Sequence, residues 1–415
     1  MPENKSHNLI ERILNAGSSA LMFGCGTAAL YMADLLLVAN LEDGELANWA
    51  FLKSLVFIGG GFVVFGMDHA VLRAKIDAWK FLPWHALQVS LLSLPFFGLT
   101  FLAQVELNGW ATWVSIASLG VILGVGGYLR SQFRIFESLV FLQGWRILFL
   151  GILLSMLFFE LPLTLETGLS LALSVWGLGA LTYALLRDRA IKTSDARNVS
   201  FPQLYPISAR FWGLALLANG MTYLDQIILN LDGQQAASAR YYTYTSIFLP
   251  LIVLATGFLA NTVNPYLRKQ GDHLRKKIPF IVKIFIGGGA ALLCISIVVG
   301  IGIGIYIGRF ESINDIEMEL LACVMAIALL RYVYLFPSAV LGVFGTKGEL
   351  DRWLVVGGIS IGAMLFTYFA VRAVGSTALM SIAIAMIINL GLRVAYGSVI
   401  ATRILNSGRP LEVSV

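Results

Sequence analysis

Apolar runs of 19 to 28 residues recur along almost the whole chain, and their length decides what the chain can become. A bilayer's hydrocarbon core is about 30 Å thick, and about 20 residues of helix cross it. Twelve runs meet that length: 15–39, 47–66, 82–104, 110–129, 139–158, 168–186, 209–230, 243–262, 279–306, 318–343, 353–373 and 376–401. Inside hydrocarbon the backbone must bond to itself, so each run is expected to be a helix. Strands of a membrane barrel would run about ten residues with alternating polarity. These runs are longer and uniform, which leaves an all-α polytopic membrane protein.

Composition agrees, with 58% hydrophobic and 13% charged residues where a soluble domain holds about a quarter charged. The longest connection, 187–208, has 22 residues, too few for a soluble catalytic domain. Function is therefore expected within or at the faces of the bilayer. The three cysteines, Cys25, Cys294 and Cys323, all fall inside spans, so no disulfide framework is expected. The first apolar run is too long for a cleaved signal.

The basic residues sort by side. Of the 29 Lys and Arg, 22 lie in the N-terminal tail, in alternate loops, or after the last span. Three, Arg240, Arg309 and Arg372, lie on the other side, and Lys53, Arg146, Arg331 and Arg393 lie within spans. This bias places both termini of the multi-pass chain on the cytoplasmic side. The net charge of +5 then reflects topology, and no nucleic-acid partner is expected.

The chain is written twice. "YMADLLLVANLEDG" at 31–44 has a counterpart in "YLDQIILNLDG" at 223–233. Tyr31, Asp34, Asn40 and Gly44 match Tyr223, Asp225, Asn230 and Gly233, with a residue or two of slack. The following spans end on basic exits, "GMDHAVLRAK" at 66–75 and "NTVNPYLRKQ" at 261–270. Six helices per copy give the copies the same orientation. The expected architecture is twelve transmembrane helices in two parallel-repeat six-helix lobes around a central cavity. Residues 1–186 form the first lobe, 187–208 the cytoplasmic connection and 209–415 the second lobe.

These features resemble the polysaccharide flippases (Wzx-type, O-antigen and exopolysaccharide translocases) of the multidrug/oligosaccharidyl-lipid/polysaccharide exporter superfamily. The resemblance rests on "DQIILNLDGQQAASARYY" at 225–242, "FGMDHAVLRAK" at 65–75, and span number and termini over the whole chain. It lacks the two extra C-terminal helices and the arginine-rich first helix of peptidoglycan-precursor flippases. The resemblance implies transport of a polyprenyl-diphosphate-linked glycan from the cytoplasmic to the periplasmic leaflet. It implies alternating access, coupling to H+ or Na+, and no cofactor. Membrane lipid, polysaccharide polymerase and chain-length machinery are the implied partners.

Such a cargo needs cations for its diphosphate and a wet surface for its sugars. An ionised residue at mid-bilayer costs about 2.5–3.5 kcal/mol, so charges there are expected to face a cavity. Lys53, Arg146, Arg331 and Arg393 are the candidate substrate-binding cations; the alternatives are snorkelling and structural pairing with Asp34, Asp225 or Glu137. Asp34 and Asp225, equivalent in the repeat, are candidate ion-coupling sites, or else helix cross-links at the outer mouth. Tyr332 and Tyr334 are candidates to stack on sugars, against a role in ordinary aromatic packing. The "RYYTYT" cluster at 240–245 reads better as an interfacial belt. No catalytic or metal-binding set is expected. His7, His69, His85 and His273 lack ligand spacing, "GIGIGIYIG" at 300–308 opens no phosphate-binding helix, and no Walker motif is present. The Asn198-Val199-Ser200 sequon falls on the expected cytoplasmic side.

Three rival functions compete with this reading. A drug or metabolite antiporter of the same superfamily would share fold and repeat. A membrane polymerase or glycosyltransferase would need a large outer loop or a nucleotide-sugar domain. A channel or scaffold would leave the duplication and the paired aspartates unexplained.

Overall fold

The computed structural model describes residues 4–72, 76–102, 107–189, 201–257, 259 and 273–407. The exit 261–270 and most of the connection 187–208 lie outside them, as do Arg73, Lys75 and the sequon at 198–200. The described residues are helical, with no strand among them. Ten helices among them are long and apolar enough to cross a membrane. The expected span 209–230 lies in a further helix, Tyr205–Leu231, whose apolar character is diluted by Arg210, Asn219, Asp225, Gln226 and Asn230. The expected span 243–262 begins in the helix Gln235–Phe248 and is helical again from 250 to 257.

Contacts divide the chain into two compact units. Unit 1 holds residues 1–36 and 48–231, and unit 2 holds 37–47 and 232–415. Helix α1 (Asn4–Asn40) and helix α2 (Asp43–Val64) therefore belong mainly to unit 1, while their joining tip belongs to unit 2. Contact grouping also keeps the helix Tyr205–Leu231, the expected opening helix of the second repeat, with unit 1.

In unit 1, α2 is followed by α3 (Met67–Ala70), α4 (Ala78–Leu92), α5 (Leu94–Leu102), α6 (Gly109–Ser131), α7 (Ile135–Phe159), α8 (Leu165–Arg189) and α9 (Tyr205–Leu231). Helix α6 is central and packs on α4, α5, α7 and α8. Small residues allow this closeness. A Cβ on Gly127 would lie 2.5 Å from the Asp68 carbonyl oxygen. Gly66 ends the α2 segment with φ of 68°, a backbone that glycine adopts without strain. The basic end of the unit is closed by an apolar cluster that includes Met67, Phe81, Leu82, Tyr128, Leu129 and Leu204.

Unit 2 contains α10 (Gln235–Phe248), α11 (His273–Tyr306), α12 (Met318–Phe344), α13 (Lys347–Ala373) and α14 (Ala378–Asn406). Helix α14 is its spine and packs against α12 and α13. Its buried residues Ile382, Ala383, Met386, Asn389, Leu390, Arg393 and Gly397 recur at helical spacing. Ile388, Leu392 and Val399 are exposed instead, as are Phe366 and Val374 in and after α13. An apolar exterior is what lipid contact requires.

Candidate functional site

The opening aspartate of the repeat is paired. Asp34 on α1 is 7% exposed and accepts a hydrogen bond from Lys53 Nζ on α2 at 2.5 Å. Lys53 is itself largely covered. Two charges out of water need each other, because an isolated one would cost several kcal/mol. Of the sequence alternatives for Lys53, pairing with Asp34 is therefore realised.

A second cation joins this pair within unit 1. Arg146 on α7 lies where Asp34 and Tyr223 act on its charge. Its guanidinium sits 5.6 Å from the Trp145 ring centroid. Trp145 leans on Phe57, and Phe57 stacks on Tyr223 of α9 with centroids 5.0 Å apart. Four helices thus converge, and the two repeat-related tyrosine-aspartate segments contribute one member each, Asp34 and Tyr223. Arg146 Nε is enclosed by protein and has no hydrogen-bond partner. Gln143, one turn earlier on α7, also holds a buried unpartnered Oε1 and packs on Gly26 of α1.

Asp225 is 3% exposed, and its Oδ1 accepts the backbone N–H of Gln226 at 2.8 Å. Asn230, fully buried, donates to the Gln226 carbonyl at 2.8 Å. Helix α9 therefore carries a buried polar seam of its own. The carboxylate acting on Arg146 is that of Asp34.

The candidates in unit 2 have different surroundings. Arg393 on α14 is 2% exposed. It donates from Nε to Ser360 Oγ at 2.7 Å and from Nη2 to the Gly357 carbonyl at 3.3 Å. Tyr334 of α12 also bonds it and stacks on Trp353 with centroids 5.6 Å apart. These contacts stitch α12, α13 and α14 together. Asn389, one turn before, donates to Met364 Sδ and keeps a buried Oδ1 without a partner. Tyr332 is 5% exposed and stacks on Phe285 of α11 at 4.3 Å. Arg331 is half-buried with its Nε enclosed.

The three basic residues expected outside all lie in unit 2, and each meets a carboxylate. Arg240 pairs with Glu317, Arg309 with Asp43 at 3.6 Å, and Arg372 with Asp232 at 3.7 Å. Asp232 also accepts from the Tyr368 hydroxyl at 2.7 Å. A polar hollow of about 900 Å³ opens at this end, lined by Gln234, Arg240, Glu317, Glu319, Arg372 and Thr377 among others.

The neutral residues Gln143, Ser360 and Asn389 were outside the candidate set. Single polar residues inside apolar runs were their signal, but a charge is a louder one.

No protein-family model matches the chain, and no curated protein matches it in sequence. Solved structures do match in fold. The eukaryotic MATE transporter AtDTX14 superposes with a TM-score of 0.57 at 12% identity, covering 94% of each chain. A multidrug resistance MATE transporter of the MOP superfamily, in an outward-facing conformation, gives 0.52 at 14% identity, covering 94% of this chain and 96% of that one. A MOP superfamily transporter from Pyrococcus furiosus gives 0.53 at 13% identity, covering 93% and 95%. The fold is the MATE transporter fold. The match runs nearly end to end, so it includes both units. The MATE architecture is an all-α membrane transporter architecture. At this identity it carries over the fold alone.

Proposed function

We propose that this protein is an alternating-access transporter of an anionic, lipid-linked cargo: a flippase that moves polyprenyl-diphosphate-linked oligosaccharide from the cytoplasmic to the periplasmic leaflet. The carrying observation is the enclosed Nε of Arg146, without a hydrogen-bond partner beside an aspartate already held by Lys53. That enclosed Nε is a donor available to a phosphate or a sugar carboxylate, and an arginine suits either one through its planar fork. The neutral donors and acceptors nearby, Gln143 and Tyr223, suit sugar hydroxyls. The Asp34–Lys53 pair is the ion-coupling element in this reading: protonating Asp34 would release Lys53 to the cargo. Arg331 is the second-repeat cation of the path, and Arg393, Tyr332 and Tyr334 support the walls around it.

A second reading is a drug or metabolite antiporter. The multidrug resistance transporter of the same fold favours it. The Pyrococcus furiosus transporter is described as having a binding pocket of reverse polarity that suggests a different function. Polarity is thus the property that separates the two readings, and the unpartnered Arg146 Nε favours an anion.

The test is reconstitution of the purified chain in liposomes loaded with a fluorescent polyprenyl-diphosphate oligosaccharide. Leaflet exchange well above empty liposomes supports the flippase. Exchange at background, with uptake of cationic dyes instead, would establish the antiporter.

A further inference from the structure

Unit 2 contains a crevice of about 290 Å³ walled by Phe285 and Ile286 of α11, Val333, Phe336 and Pro337 of α12, and the last turns of α14. All three helices are long and apolar enough to span the bilayer. At one end the crevice is closed by tight packing. A Cβ on Gly397 would lie 2.5 Å from the Trp353 ring and 3.2 Å from Pro337 Cβ. Pro337 lacks an N–H and loosens α12 beside this point. Phe285 is fixed by its stack on Tyr332, so the wall is set by aromatic packing.

The α14 wall is not uniform. Ala401 and Leu405 are apolar and buried, while Ser398, Thr402 and Asn406 are exposed. These three recur every four residues and share one face. They form a polar rail leading from the closed end to the end of the helix. Arg403, exposed, follows Thr402. In the sequence, Arg275, Lys276, Lys277 and Lys283, the densest basic run in the chain, precede Phe285. An apolar slot between membrane-length helices, a hydroxyl and amide rail, and the exposed Arg403 at the end of that rail match one molecule in three parts. A basic crevice between membrane helices on the cytoplasmic side attracts acidic lipid headgroups.

We propose that this crevice is a binding site for an acidic glycerophospholipid of the cytoplasmic leaflet, with one acyl chain between α11, α12 and α14 and its phosphate at Thr402, Arg403 and Asn406. Its lining residues belong to unit 2 and Arg146 to unit 1, and the proposal stands whatever the cargo is.

The purified full-length chain in neutral detergent is titrated with phosphatidylglycerol or phosphatidylcholine, and bound lipid is counted by native mass spectrometry. Phosphatidylglycerol is expected to bind preferentially and raise the melting temperature. Arg403→Gln should weaken its binding about fivefold, the equivalent of one basic residue at an anionic surface. Ser398→Trp should block the slot, and Ser398→Ala should not. Thr402→Phe replaces the tryptophan variant if that does not fold. Equal binding of phosphatidylcholine, or full phosphatidylglycerol binding by the blocked variant, would overturn the proposal. A polyisoprenyl phosphate that displaces phosphatidylglycerol from the native chain, but finds no site in the blocked one, would overturn it too and assign the slot to an isoprenoid tail.

Discussion

Arg309 donates from Nε to the Val38 carbonyl at 2.5 Å and from Nη2 to the Leu41 carbonyl at 2.5 Å, so one side chain caps the end of α1. The last carbonyls of a helix have no partner within it, and a cation there also meets the negative end of the helix dipole. Asp43, beyond the turn, completes the contact. This explains why residues 37–47 group with unit 2 although they join two helices of unit 1.

Arg309→Ala is expected to fray that tip. Hydrogen bonds from a charged donor contribute about 1.5–3 kcal/mol each when enclosed, and the partial exposure here places the sum at the low end. Amide hydrogen exchange at residues 40–46 should accelerate, while exchange in α6 stays the same. Unchanged exchange at the tip would remove the capping role.

Breaking the Asp34–Lys53 pair from one side should be worse than removing both members. Asp34→Asn leaves an ammonium in a covered site, at a cost of about 3–5 kcal/mol for a buried pair. The double variant Asp34→Asn with Lys53→Gln is expected to recover most of the melting temperature. If it melts as low as the single variant, the pair is not the source of the loss. Asp34→Asn should also flatten the pH or ion dependence of transport; an unaltered profile would separate Asp34 from coupling.

Arg146 and Arg393 should respond differently. Arg146→Ala removes a guanidinium whose Nε has no hydrogen-bond partner, so cargo affinity should fall by more than the melting temperature accounts for, about tenfold to a hundredfold, as for one lost charge-assisted bond. Arg146→Lys should keep part of it. Wild-type transport by the alanine variant would take Arg146 out of the path.

Arg393→Ala removes bonds to Ser360 and Gly357 and opens a void between three helices. It is expected to lower yield and melting temperature before transport per folded molecule is affected. Ser360→Ala should cost only about 1 kcal/mol. A stable Arg393→Ala protein that fails to transport would place Arg393 among the cargo contacts instead.

The contrast between these two arginines shows where sequence reading ends. Both are single cations in apolar helices, and by that signal they are the same. What separates them is Ser360 and Gly357, which lie 33 and 36 residues from Arg393 in the chain and reach it by packing of α13 on α14. The helices themselves were legible, because hydrophobic length is a local property. The Asp34–Lys53 pairing was half-legible. The two residues flank a tight helical hairpin, so Asp34 was one of three acids within reach on paper. The grouping of residues 37–47 was not legible at all, since Arg309 lies about 270 residues downstream of Val38 and nothing local announces the contact.

The matched outer arginines carry a last implication. Because Arg240, Arg309 and Arg372 are each neutralised by Glu317, Asp43 and Asp232, that rim presents little net attraction to a negatively charged traveller. The surrounding Glu42, Glu45, Glu311 and Asp315 add repulsion. For the anionic cargo proposed above, a rim without surplus positive charge would make departure the easy step.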